Sequence, residues 1–233
     1  MVLCRIEWPQ AWRIIPSRYP PINLFERLTE DKAVWEALIA LEQMTNPRIR
    51  QEIGEISLVA PENRVAGPGA SYVMASFTHL NPKGSRFSDG TYGVYYAASE
   101  LNTAIAETVY HFEAFARAAH DPARREDMRV VVGTISCDFD DVAALDYDEK
   151  SNILDPDSYA AARNFAKERR SAGSNGICYP SVRRPGGTCI GAFTPKAVGL
   201  PHQERHLQYS WNGSRVDRYF DYQQNCWCDW PDK

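Results

Sequence analysis

Along the chain the spacing of apolar positions changes period several times. Leu101, Ala104, Ile105, Thr108, Val109, Phe112 and Phe115 recur at helical spacing and make one apolar stripe. They predict an amphipathic helix with Ser99 as N-cap and Glu100 in its first turn. Leu24, Phe25 and Leu28, then Val34, Trp35, Leu38, Leu41 and Met44, predict two helices within 22–53, and Asn46-Pro47 opens a short third that ends at Gly54. The proline- and glycine-rich stretch from Pro61 to Ala70 is a loop, and Ser71 to Thr78 is expected as a strand. Met128 to Ser136 alternates with valines and reads as another strand. Asp155-Pro156 is expected to open a helix through about Arg170, with Pro156 at the first helical position and Gly173 just past the end. Ile177–Tyr179 and Thr188–Phe193 are short strands around the turn-rich Arg183-Arg184-Pro185-Gly186-Gly187. A terminal hairpin closes the chain, with Asn212-Gly213 suited to a two-residue type I′ turn. Short strands with a few interposed helices, no internal repeat and no low-complexity linker give an α+β fold class.

Composition narrows the function classes. A chain of 233 residues with 44% hydrophobic content can bury a full core. Its formal net charge of −4 argues against direct nucleic-acid binding, which favours a basic excess. Arg163, Lys167, Arg169 and Arg170 cluster, but Glu168 lies among them, and the group reads as a solvated helix face. No run of eighteen apolar residues marks a membrane span, and Arg5 and Glu7 interrupt the N-terminus where an export signal needs an apolar core. A cytoplasmic protein with its six cysteines reduced is expected, and Asn212-Gly213-Ser214 is then a turn rather than a glycosylation site.

Chemistry is most concentrated between Gly84 and His111. Arg86 lies in a glycine-flanked loop, Tyr96 in an aromatic and β-branched run, and Glu107 on the predicted helix. At about 100° per residue Glu107 falls outside the apolar stripe, on the side shared by Glu100, Thr103 and His111. Periodicity alone makes it a solvated carboxylate, Arg86 a surface cation and Tyr96 half-buried packing. Two other motifs carry little. Gly67-Pro68-Gly69 has Tyr72 where a dinucleotide fingerprint needs its third glycine. His202, His206, Cys226 and Cys228 fit no standard zinc spacing, so no metal is expected.

An ordered set of segments resembles a known family. Trp12-Arg13-Ile14, Gly84-Ser85-Arg86-Phe87, Val94-Tyr95-Tyr96-Ala97, Thr103-Ala104-Ile105-Ala106-Glu107 and Asn175-Gly176-Ile177-Cys178-Tyr179-Pro180-Ser181 together are similar to the RES-domain toxins of RES–Xre toxin–antitoxin pairs, closest to ParT-like members. The likeness runs from about Gly69 to Pro195 and more weakly over Trp12 to Leu28. It implies one RES-type domain over 1–233, with a helical extension at 22–60 and a catalytic core at 69–221. It implies an ADP-ribosyltransferase-like split β-sheet core with an NAD cleft between its halves.

The resemblance further implies that NAD is the substrate and that Arg86, Tyr96, Glu107 and Ser181 are the catalytic positions. Glu107 would stabilise the positive charge built on the ribose as the nicotinamide bond breaks. Arg86, with Arg13 as a second candidate, would grip the pyrophosphate or ribose. Tyr96 would stack on nicotinamide or close the pocket, and Ser181 would hydrogen-bond the nicotinamide side or the ribose. The implied function is a toxin that transfers ADP-ribose from NAD to a cellular protein. NAD glycohydrolase or phosphorylase activity is the alternative, and a non-catalytic protein-binding module is the rival of another class. The implied partners are an Xre-like antitoxin covering the cleft, a protein acceptor and, by family habit, a second copy of the chain. The sequence departs from the common pattern at Phe87-Ser88, where many relatives carry tryptophan and asparagine, and in its longer helical part before Gly69.

Overall fold

The computed structural model describes residues 2–19, 26, 34, 35, 37–40 and 54–231. In chain order its main elements are β1 (Leu3–Pro16), α1 (Ala70–Thr78), β2 (Tyr95–Ala98), α2 (Leu101–Ala118), β3 (Arg124–Asp141), α3 (Tyr147–Ile153), α4 (Ala160–Ser171), β4 (Gly176–Pro180), β5 (Thr188–Ala192), β6 (His202–Trp211), β7 (Val216–Asp221) and β8 (Cys226–Asp229). The fold is mixed α+β, with one eight-stranded mixed sheet in the order β1-β2-β5-β4-β3-β6-β7-β8 and a further β1–β3 pairing.

The two longest strands organise this sheet. β1 and β3 run antiparallel from Leu3↔Asp140 to Pro16↔Met128. The other edge of β3 is divided between two neighbours: residues up to Val132 pair with β6, whereas Asp140 and Asp141 pair in parallel with Ile177 and Cys178 of β4. On the far side, β2 meets β1 at one register pair, Trp12↔Ala98. The β2–β5–β4 panel is therefore firmly laddered within itself but joined to the long ribbon only at its corners. A sheet held this way splays between β1 and β2.

Buried side chains fill both faces. On one face α2 and α4 pack Ile105, Val109, Phe112 and Ala166 against Val130, Ile177, Leu207 and Trp211. On the other, α1 packs Ala70, Val73, Met74 and Phe77 with Trp35, Tyr95, Ala97, Phe139 and Ile190. The period of two in β2 sorts Tyr95 and Ala97 to the second face and Tyr96 and Ala98 to the first.

Several expectations change. Ser71–Thr78 is helical, because the buried apolar positions Ala70, Val73, Met74 and Phe77 are spaced by three and four and put one helix face into the core. Ser99 does not cap α2: Glu100 takes that place without a side-chain bond, and the Ser99 hydroxyl donates instead to the Thr188 carbonyl at 3.3 Å. Phe115 is 56% exposed, and Ala116 closes the α2 stripe in its place. Asp155 opens a turn by accepting from the Asp157 and Ser158 amides, so the helix starts at Ala160 rather than Pro156. Gly173 lies just past its end with φ of +83°, as the sequence predicts.

Helix α3 is not foreseen in the sequence, although Asp146 caps it by accepting from the Glu149 amide at 3.0 Å. The terminal hairpin turns through residues 212–215, where Asn212 Oδ1 accepts from the Ser214 and Arg215 amides, so the expected two-residue turn gives way to a longer side-chain-stabilised one. The helices expected over 22–53 lie largely outside the described residues. Of the described ones, 35 and 37–40 are helical, with Trp35 and Ile39 buried and Val34 and Leu38 exposed. The basic run on α4 is not a purely solvated face: Arg169 pairs with buried Asp140 at 2.8 Å, and Arg163 donates to the Ser85 and Lys83 carbonyls. Among the described residues no helix is long and apolar enough to cross a membrane.

Candidate active site

The splay between β1 and β2 opens a cleft on the α2 side of the sheet, with about 760 Å³ of empty volume, mouth included. Arg13, Arg86, Tyr96 and Glu107 line it, together with His111, Tyr179 and Cys189. Ser181 stands behind Glu107 and bonds to it directly.

Arg13 helps to keep the splay open. Its Nη1 donates to the Tyr96 carbonyl at 2.9 Å, so a guanidinium stands where a continued ladder would place a backbone amide. The same group lies 4.6 Å over the Tyr95 ring. Its Nε is buried and has no hydrogen-bond partner, and Arg13 pairs with no carboxylate among the described residues. Burial lowers its pKa from the ordinary arginine value, with Tyr95 and Tyr96 acting in the opposite sense. A cation left in this state suits an anionic ligand.

The loop carrying Arg86 is built to hold one shape. Gly84 has φ of +72°, and a Cβ there would meet the Ser88 carbonyl oxygen at 2.3 Å, so only glycine fits the turn. The Ser85 amide donates to the Ser88 carbonyl at 2.8 Å, and the Tyr92 hydroxyl donates to the Phe87 carbonyl at the same distance. Tyr96 fixes the loop from below: its hydroxyl accepts from the Phe87 amide at 3.0 Å and shares a hydrogen bond with Ser85 Oγ at 2.8 Å. These bonds bracket Arg86 on both sides. Burial pushes the Tyr96 phenol up to about 12, so it stays neutral. The expected ring contact with a ligand is thus accompanied by a positioning role that spacing could not reveal.

Arg86 is 8% exposed. Its Nη1 donates to the carbonyls of Ile153 at 3.0 Å and Asp155 at 2.9 Å, and the guanidinium lies 4.5 Å from the Tyr159 ring centre. Ile153 ends α3, so this cation sits at the negative end of a helix and satisfies one of its free carbonyls. Arg86 Nε and Nη2 make no hydrogen bond among the described residues, and Arg86 pairs with no carboxylate there.

Glu107 is half-buried, not solvated as periodicity suggests. Its Oε1 accepts from Ser181 Oγ at 2.7 Å. The serine is oriented in turn, because Oγ accepts from the amides of Arg183 at 3.2 Å and Arg184 at 3.0 Å. With two amides on its lone pairs, the single hydroxyl proton is directed to Glu107. Ser181 thereby meets the carboxylate, and no partner on the far side of the cleft, in this structure.

Three further residues complete the lining. His111 follows Glu107 by one helical turn and lies at the exposed mouth. Tyr179 and Cys189 form the inner wall, with burial raising the pKa of both. His111 was legible as a neighbour of Glu107 on the α2 face; Tyr179 and Cys189 carry no local signal. Among the described residues no group of three or more His, Cys, Asp or Glu could hold a metal ion. His206 contacts Ser17 Oγ and Gln203 Nε2, and Cys226 and Cys228 lie on β8.

The RES domain matches residues 61–212. The chain belongs to the RES-domain family. Within this RES domain fall Arg86, Tyr96, Glu107 and Ser181, whereas Arg13 reaches the cleft from β1 before it. The chain is 30% identical over 207 residues to the uncharacterized protein y4oC of Sinorhizobium fredii (strain NBRC 101917 / NGR234), covering 89% of this chain and 85% of that protein. It also overlays on a chain of the M.tuberculosis MbcT–MbcA toxin–antitoxin complex with a TM-score of 0.42 and 9% identity, covering 88% of this chain and 87% of that one, an overlay too loose to carry detail between them.

Proposed function

We propose that this RES-domain protein is the toxin of a toxin–antitoxin pair and that it cleaves the nicotinamide–ribose bond of NAD and transfers ADP-ribose to a cellular protein. The observation that carries this reading is the convergence in one cleft of an oriented carboxylate, Glu107 held by Ser181 at 2.7 Å, with two arginines, Arg86 and Arg13, that form no ion pair with a carboxylate among the described residues. A dinucleotide with a pyrophosphate and a cleavable, cation-forming glycosidic bond is complementary to that charge pattern. The free donors of Arg86, with Arg13 as a second candidate, fit the pyrophosphate, and Glu107 fits the developing ribose cation.

In this reading the splayed sheet is an ADP-ribosyltransferase-like split core. The whole of 1–233 forms one RES-type domain, with its catalytic core at 69–221 and an extension at 22–60. An Xre-like antitoxin covers the cleft and keeps NAD out until it is lost. Water or phosphate as acceptor would make the same first step a glycohydrolase or phosphorylase reaction.

The test is nicotinamide release from NAD by the purified, antitoxin-free protein, beside folded Glu107→Gln and Arg86→Ala variants. The expected result is turnover in the wild type and a loss of roughly a hundredfold or more in each variant. The identity of the ADP-ribose product then names the acceptor. No release by the wild type, with cell lysate supplying acceptors, would move the assignment to a protein-binding module.

A further inference from the structure

Resting on the NAD reading, we propose that His111 is the general base that takes the proton from a hydroxyl acceptor, water included, as the ADP-ribosyl group is transferred. In this step the ribose–nicotinamide bond breaks and its electron pair leaves with nicotinamide. A lone pair of the acceptor oxygen forms the new bond to the ribose carbon. The acceptor's proton passes to an imidazole nitrogen of His111.

The other titratable groups lining the cleft are unsuited to this task. Glu107 has one oxygen occupied by the Ser181 hydroxyl, and a proton taken on its carboxylate would cancel the charge that faces the ribose cation. Tyr96, Tyr179 and Cys189 are held in their neutral, protonated forms by burial, and Arg13 and Arg86 are cations. His111 stands one turn beyond Glu107, at the mouth where an acceptor must enter, and makes no hydrogen bond among the described residues. Its only ring contact among them is the edge of Tyr110, 5.3 Å away.

The surrounding charges favour the free base. Desolvation against the cleft wall is the largest influence and lowers the His111 pKa; Arg183, on the loop after β4, and Arg86, on the loop before β2, act in the same direction. Glu107, on the same helix, opposes them. Arg13 on β1 and the neutral Tyr179 and Cys189 on β4 and β5 share the cleft. The imidazole is therefore unprotonated at neutral pH, as a base must be.

The experiment compares wild type and His111→Gln with NAD and two nucleophiles, water and azide, between about pH 5 and 8. Azide is already an anion and gives up no proton, so its reaction bypasses a base. The expected result is a fall of about 10²–10⁴-fold in ADP-ribose formation by the variant. Formation of the azide adduct should persist within about threefold of wild type. The wild-type water reaction should also rise with pH through an apparent pKa below 6.5, and that limb should vanish in the variant. Equal loss with both nucleophiles would make His111 structural and overturn the proposal, as would an unchanged rate and pH profile with water. Absence of product from the wild type with either nucleophile would instead strike the NAD reading itself.

Discussion

Replacing Ser181 by alanine separates two roles that sequence comparison leaves merged. Ser181 Oγ takes part in three hydrogen bonds: it accepts from the Arg183 and Arg184 amides and donates to Glu107 at 2.7 Å. The two amides lie in a half-exposed loop where water can replace the lost acceptor, so their loss should cost at most about 1–3 kcal/mol of stability together. In a chain of this size that corresponds to a fall of about 2–4 °C in Tm per kcal/mol. The bond to the carboxylate is charge-assisted and worth about 1.5–3 kcal/mol, which bounds the loss of Glu107 orientation in the transition state. Converted to rate, this is about a tenfold to hundredfold fall in kcat. Ser181→Thr, which keeps the hydroxyl, should recover much of it. The assay is nicotinamide release over a range of NAD concentrations, with thermal melting on the same preparations. A rise in KM with kcat unchanged would refute the reasoning, since it would mean that Ser181 binds NAD in the ground state and does not act through Glu107.

Two other substitutions test the arginine loop. Tyr96→Phe removes the acceptor of the buried Phe87 amide and the partner of Ser85, so it should cost about 1–3 kcal/mol of stability and lower kcat/KM at least about tenfold by loosening Arg86, read by denaturant melts and NAD titration. Wild-type turnover should show no alkaline limb from this phenol below about pH 10, because burial holds its pKa up to about 12. Gly84→Ala forces a side chain onto a positive φ with the Ser88 carbonyl only 2.3 Å from the new Cβ, and should lose activity together with more than the roughly 1–3 kcal/mol that the conformation alone costs. Gly173→Ala is the control: its φ is +83° but nothing lies within 4 Å, so it should be milder in melts and leave nicotinamide release intact.

The elements whose signals are local were legible in the chain before any folding was known. The α2 stripe, the valine-rich β3, the short strands β4 and β5 and the glycine stop after α4 follow from periodicity and cap chemistry that neighbouring residues settle among themselves. The sequence also marked Arg86, Tyr96, Glu107 and Ser181 as an ordered set within what is now a RES domain. It misjudged Ser71–Thr78, where burial of Ala70, Val73, Met74 and Phe77 against the second face of the sheet decides for a helix. Ser99 likewise looked like a cap but is taken by β5.

What the marked residues touch follows from the three-dimensional packing alone. Periodicity placed Glu107 on a solvated face, because it cannot know that the loop after β4, 74 positions along the chain, delivers Ser181 to that carboxylate. Nor could spacing show that Arg13 enters the cleft from β1, that the Tyr96 hydroxyl holds the Arg86 loop, or that the cleft exists at all. The cleft depends on β1 and β2 meeting at a single pair while β3 divides its edge between β4 and β6. Such pairings are long-range, and their free energy comes from strands brought together by the whole core, so no window of sequence contains them.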